Sequence, residues 1–196
     1  NNMIKGILFD LDGTLVKLPI NYTTIQEKLK NIFQTEEQFA PLIPSIISKA
    51  KGDDSKIHDA FEMICDQEVI ALKNLEVMHG VKDILSFLKT KNCFLCLVTL
   101  QCNKAAMEIL NKLSITGFFS NIITRDESYD RFEQIQKTIE KIKLNPEQIL
   151  VIGDTIYDVE CAKKAGCQSI LFSSKTEREA GLKIIKNLSD LKEMVF

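Results

Sequence analysis

Apolar residues recur along the chain in two rhythms. Short, nearly unbroken apolar runs at 4–9, 93–99, 148–152 and 168–172, with a shorter one at 121–124, read as strands buried on both faces, as in a parallel sheet. Between them, residues 81–91, 104–113, 132–142 and 158–165 carry apolar positions at helical spacing. Alternation of this kind predicts an α/β fold with a doubly wound parallel sheet. The stretch 18–77 breaks the alternation and shows no strand pattern. Thr24 with Glu27 suggests a capping box, followed by Ile25, Leu29, Ile32 and Phe33 on one helical face. Pro41 and Pro44 interrupt the next segment. The turn at 52–55 can cap a long helix bearing Ile57, Phe61, Ile64 and Cys65. The expected organisation is therefore a core domain of residues 1–17 and 78–196, with a helical insertion at 18–77 after the first strand. Beyond Ser173 the pattern gives a loop, a short apolar piece at 182–185 and a last helix from Ser189.

Composition narrows the function classes. The 196 residues are 45% hydrophobic and 27% charged with a formal net charge of -2, so no global basic field favours nucleic acid or an anionic membrane. An anionic ligand would need a local device, such as a metal or a ring of backbone amides. No run approaches the roughly 18 apolar residues of a membrane span. Residues 3–6 run straight into the first strand, so no signal peptide is expected. A cytoplasmic protein, monomeric or weakly dimeric, is expected. Of the six cysteines, Cys93 and Cys96 form a C-x-x-C, but their apolar surroundings read as strand core rather than half a zinc site.

Candidate chemistry sits at strand ends. Phe9-Asp10-Leu11-Asp12-Gly13-Thr14 places two carboxylates just past the first strand, two residues apart. In an open parallel sheet ligands bind beyond that end. Carboxylates so close repel unless a cation or shared proton intervenes, and an all-oxygen set suits Mg2+. Gly13 lets the chain bend away, and Thr14 can bond the local backbone. Taken alone, an ordinary Asp-Gly turn explains the segment equally well. A second strand, 148–152, leads through Gly153 to Asp154, with Asp158 a turn further on. A helix cap would account for one acid at one strand end, but not for two strands that each end in acids. Thr99 ends a third strand, where its hydroxyl and the following amides suit phosphate oxygens; a plain strand-ending threonine is the competing reading.

The order and spacing of Phe-Asp-Leu-Asp-Gly-Thr-Leu at 9–15, Thr99 after an apolar strand, and Gly-Asp-x-x-x-Asp at 153–158 resemble the haloacid dehalogenase-like (HAD) superfamily. The resemblance covers essentially the whole chain, and the helical insertion resembles that superfamily's helical cap. It implies that Asp10 is a nucleophile forming an aspartyl-phosphate and Asp12 an acid/base. It also implies that Mg2+ is held by Asp10, Asp12 (through its backbone carbonyl), Asp154 and Asp158, and that Thr99 binds phosphate. An acid at position 12 favours phosphate chemistry over dehalogenation. The implied activity is hydrolysis of a small phosphorylated metabolite, similar to phosphoglycolate phosphatase-like members. A phosphomutase and a weakly active phospho-ligand binder are the other readings. One family element is missing: no lysine occupies 129–131, where one is usual. Arg131 can substitute with a fork suited to phosphate, and Arg125 is the other candidate, whereas Lys137 lies too far along its helix.

Overall fold

A computed structural model describes residues 3–174 and 181–194. In chain order the elements are β1 (Gly6–Phe9), β2 (Val16–Lys17), α1 (Tyr22–Phe33), α2 (Leu42–Ala50), α3 (Asp54–Ala71), β3 (Glu76–Val77), α4 (Val81–Thr90), β4 (Phe94–Val98), α5 (Asn103–Lys112), β5 (Asn121–Ile123), α6 (Arg131–Ile142), β6 (Ile149–Gly153), α7 (Ile156–Lys164), β7 (Gln168–Phe172) and β8 (Ile184–Ile185). By its contacts the chain divides into two units, Leu18–Leu75 and the remainder.

In the larger unit six parallel strands line up as β5-β4-β1-β6-β7-β8. All four residues of β1 are buried, the double-faced burial expected of a central parallel strand. Successive side chains leave opposite faces, so Leu8, Cys96, Val98, Ile149 and Val151 share one face. There they pack with Ile135 of α6 and with Cys161 and Ala162 of α7. Cys93 and Cys96, three apart on an extended segment, leave opposite faces and do not form a chelating pair. Both are buried free thiols, and burial pushes Cys96 up to about 12, as befits a small core hydrophobe. The strand order reverses around β1: the chain runs from β1 out to β4 and β5, then crosses back to β6 on β1's other side. That is the topological switch point where open α/β sheets bind ligands.

The chain leaves β1 through a tight loop. Leu11 O accepts from Leu15 N and Val16 N, and Gly13 N donates to Val16 O at 2.7 Å. Glu76 and Val77, assigned to the strand-free insertion by their sequence, instead form β3 and pair antiparallel with β2.

In Leu18–Leu75, three helices close a core of Ile25, Leu29, Phe39, Ile43, Ile46, Ala60 and Ile64. Burying each large side chain there stabilises by roughly 1.5–3 kcal/mol. The Phe33 and Phe39 rings meet at 5.1 Å in a tilted pair. Gln26 closes both hydrogen bonds on the Phe39 backbone, donating to its carbonyl and accepting from its N–H at 2.9 Å each. The first helix does not start at a Thr24–Glu27 box. Asn21 is its cap, and its side chain accepts from Thr24 N. Pro44 sits in the first turn of α2, where a missing N–H costs no helical bond. At the C-terminus the expected last helix is a 3-10 segment, Leu188–Glu193, and the 182–185 piece supplies β8. The loop expected after Ser173 lies largely outside the described residues. Among the described residues no helix is long and apolar enough to cross a membrane.

Candidate active site

β1 and β6 run in register to the end of β1, Phe9 opposite Ile152, and Asp10 N donates to Ile152 O at 3.0 Å; β6 runs one residue further, to Gly153. Asp10, next after β1, and Asp154, next after β6, therefore emerge at the same end of the sheet, one residue out of register. β4 lies on the opposite flank of β1, with Leu97 opposite Phe9, which brings Thr99 to the same end of the sheet. Carboxylate oxygens of Asp10, Asp154 and Asp158 all lie within 4.8 Å of one another.

Two glycines make this proximity possible. Gly13 has φ +88°, and a Cβ there would stand 2.1 Å from Asp154 Oδ2. The Asp-Gly turn after β1 thus both bends the chain and leaves the space that the Asp154 carboxylate fills. At Gly153 a Cβ would stand 2.4 Å from Asp158 Oδ2, so Asp158 folds back over the end of its own strand. Asp158 also closes a reciprocal cap on α7. Its Oδ2 accepts from Thr155 N and Oγ1, while Thr155 Oγ1 accepts from Asp158 N. The cap of this helix is therefore Thr155, not Asp154, which is left available to the acid cluster.

Arg131 is the cation of the site. It is buried, with Nη2 donating to Asp10 Oδ1 at 2.9 Å and Nε 3.1 Å from Asp158 Oδ1. The second contact is an ion pair by distance, without hydrogen-bond alignment. Arg131 is the first residue of α6, behind the Asp130 cap. A cation there works against the helix dipole, so the neighbouring acids rather than the helix account for its place. Burial opposes the guanidinium charge, but Asp10 and Asp158 outweigh it and hold Arg131 above its ordinary value. Asp10, whose Oδ1 also accepts from Leu11 N at 2.8 Å, is pushed well above the usual carboxylate range by burial. Arg131 pulls it back down, and Asp158 and Asp154 push it further up. Burial also raises Asp154, against a hydrogen bond with Asp10.

When ionised, three carboxylates against one guanidinium leave a formal charge of -2, the charge that a divalent cation offsets. The donors are hard oxygens only, and to the burial that raises Asp10 and Asp154 first, the Asp158 carboxylate adds a further push upward on both. This set fits Mg2+.

Of the residues singled out from sequence, the structure brings Asp10, Asp154, Asp158 and Arg131 together. Asp12 is half-buried, bridges Val16 through its backbone, and its carboxylate is not part of the group of three. Thr99 is buried, and its hydroxyl donates to Gln101 Oε1 while accepting from Gln101 N. Thr14 does not bond the local backbone: its buried hydroxyl has no hydrogen-bond partner among the described residues. Arg125 braces the loop after β4 instead, with Nη1 donating to Leu100 O at 2.7 Å and its N–H to Gln101 O. Lys137 pairs with Glu133 on the outer face of α6.

Sequence reasoning missed Gln134. Wholly buried, it accepts from Arg131 Nη1 at 3.1 Å and donates to Thr99 O and Ser128 O at 2.8 Å each. The available signal was its spacing, three residues after Arg131 on one helix.

A family model described as haloacid dehalogenase-like hydrolase matches residues 7–172. Phosphoglycolate phosphatase of Shigella dysenteriae is 31% identical, the match covering 85% of this chain and 80% of that protein. Pyrophosphatase PpaX of Oceanobacillus iheyensis is 27% identical over 85% of this chain and 82% of its own length. Among solved structures, a haloacid dehalogenase-like family hydrolase of Streptococcus pneumoniae shares the fold with a TM-score of 0.70. It is 21% identical and covers 97% of both chains.

Proposed function

The chain belongs to the haloacid dehalogenase-like hydrolase family, and from that premise we propose that it is an Mg2+-dependent phosphatase of small phosphorylated metabolites, with Asp10 as nucleophile. The observation that carries the reading is the constellation of buried Asp10 and Asp158 with half-buried Asp154, and buried Arg131 reaching two of the three acids. Helix capping explains Asp158 alone. It gives no reason to bury a guanidinium against a second acid on a different strand.

The residues divide the work as follows. A carboxylate oxygen of Asp10 attacks phosphorus, forming an O–P bond as the bond to the leaving oxygen breaks. Asp12 donates its proton to that oxygen. Water then attacks phosphorus of the aspartyl-phosphate, Asp12 takes the water's proton, and the O–P bond to Asp10 breaks, returning both residues to their starting states. Arg131 offsets charge on the equatorial oxygens and on Asp10. Thr99, with the amides that follow it, is assigned to the phosphoryl oxygens. Asp10, Asp154, the Asp12 backbone carbonyl and, directly or through water, Asp158 would hold Mg2+, which supplies charge neutralisation between two anions. The helical unit Leu18–Leu75 is read as the family's cap domain. Relatives named for phosphoglycolate and for pyrophosphate support a small, strongly anionic phosphate compound as the substrate class.

The test is hydrolysis of p-nitrophenyl phosphate, 2-phosphoglycolate and pyrophosphate, with and without Mg2+, by wild type, Asp10→Asn and Asp12→Asn. Turnover should require Mg2+ and vanish in Asp10→Asn, with the far-UV spectrum unchanged. In Asp12→Asn a phosphate adduct should accumulate on the peptide holding Asp10. Activity surviving Asp10→Asn would overturn the mechanism.

A further inference from the structure

Gln134 does more than fill space beneath α6. An apolar side chain would serve there without an amide that must be satisfied in the interior. All the amide's principal bonding capacity is committed: Oε1 to Arg131, and both Nε2 hydrogens to the Thr99 and Ser128 carbonyls. Two of these partners belong to the candidate site, and the third begins the turn that leads into α6. Arg131 is otherwise anchored at two points, Nη2 on Asp10 and Nε on Asp158. Two contacts leave a planar group free to pivot about the line joining them. A third contact at Nη1 removes that freedom.

We infer that Gln134 is a positioning residue that sets the plane of the Arg131 guanidinium and ties it to the loop carrying Thr99. Through this single amide, the cation and the end of β4 keep a fixed spacing across the place assigned to the phosphoryl group. Gln134 acts through Arg131 and Thr99, so it need not touch substrate. This role rests on the phosphatase reading for its kinetic consequence but not for its structural one.

The experiment uses both consequences. The chain has three arginines, at 125, 131 and 178, so a protein labelled with 15N in arginine gives a simple Nε–H spectrum. The Arg131 signal is the one lost in Arg131→Lys. In Gln134→Met, that signal should shift and exchange with solvent at least about tenfold faster, while the Arg125 signal stays in place. An unmoved Arg131 signal, or an equal disturbance of Arg125 that marks general loosening, would overturn the inference. On p-nitrophenyl phosphate, Gln134→Met should lower kcat about tenfold, the order expected when a catalytic group is slightly misplaced. In an Arg131→Met background the same change should cost less than about twofold. A full additional tenfold there would mean that Gln134 does not act through Arg131. Should Gln134→Met fail to fold, Gln134→Asn keeps both polar atoms but withdraws them by one methylene, and the same outcomes apply. A wild type without turnover would sink the phosphatase reading, and the Arg131 spectrum would then decide the role of Gln134 alone.

Discussion

At the scale of single residues, the site depends as much on what is absent as on what is present. Alanine at position 13 meets two obstacles, a left-handed backbone and an Asp154 oxygen 2.1 Å from the new carbon. Gly13→Ala is therefore expected to displace Asp154, weakening Mg2+ binding and lowering kcat/KM by about a hundredfold or more, because reacting groups tolerate little misplacement. Titration calorimetry with Mg2+ and steady-state kinetics check this, and wild-type values in a folded Gly13→Ala protein would refute it. Thr14 behaves in the opposite way. Its buried hydroxyl has no partner among the described residues, a situation that costs about 1–3 kcal/mol. Thr14→Val keeps the shape and removes the hydroxyl, so Tm should hold or rise by a few degrees; a fall of several degrees in a thermal melt would mean the hydroxyl is satisfied. Asp10 and Asp154 were legible in the sequence because each follows an apolar strand, and Asp158 because it lies one helical turn beyond Asp154. Gln134 was not, because a glutamine in the second turn of a charged helix looks like surface. Only the fold reveals that this face meets the ends of β1 and β4.

At the scale of elements, strands and helices were legible wherever an apolar rhythm was long, and their ends were not. α1 illustrates the reason. Thr24 has the right residue three positions on for a capping box, yet it lies inside the first turn, and its own N–H is the one capped by Asn21. Two competent caps three residues apart look alike in sequence, and the earlier one is used here. Asn21→Ala should cost about 1 kcal/mol, or roughly 2–4 °C in Tm, and Thr24→Ala much less. Equal losses in denaturant melts would reassign the cap. The C-terminal elements failed for a related reason. Two-residue β8 gains its identity from β7 beside it, and Leu188 and Leu191, three apart and both buried, suit a 3-10 turn as well as an α-helix.

At the scale of the whole molecule, a net charge of -2 hides a local concentration of like charge. Three carboxylates share a space 4.8 Å across with one guanidinium in contact, in a region where burial raises Asp10 and Asp154. Without a cation this arrangement opposes folding, since each charge has left water for a place beside its like. On the proposed Mg2+ dependence, the same electrostatics would give the ion a larger effect on the folded than on the unfolded chain, which scatters these residues over 149 positions of sequence. Saturating Mg2+ at a hundred times its Kd stabilises a folded state by about 2.7 kcal/mol. In a protein of this size that is roughly 5–10 °C in Tm. Asp154→Asn removes one of the repelling charges and puts a neutral amide in place of one carboxylate of the proposed Mg2+ site. Its metal-free Tm should therefore equal or exceed that of wild type, while its Mg2+-induced shift should shrink to a small fraction. The two effects separate the charge argument from mere damage, because a damaged fold lowers both. Scanning fluorimetry with EDTA and with graded Mg2+ reads them together. A metal-free Tm well below wild type, with the Mg2+ shift intact, would show that Asp154 serves the fold rather than the cation.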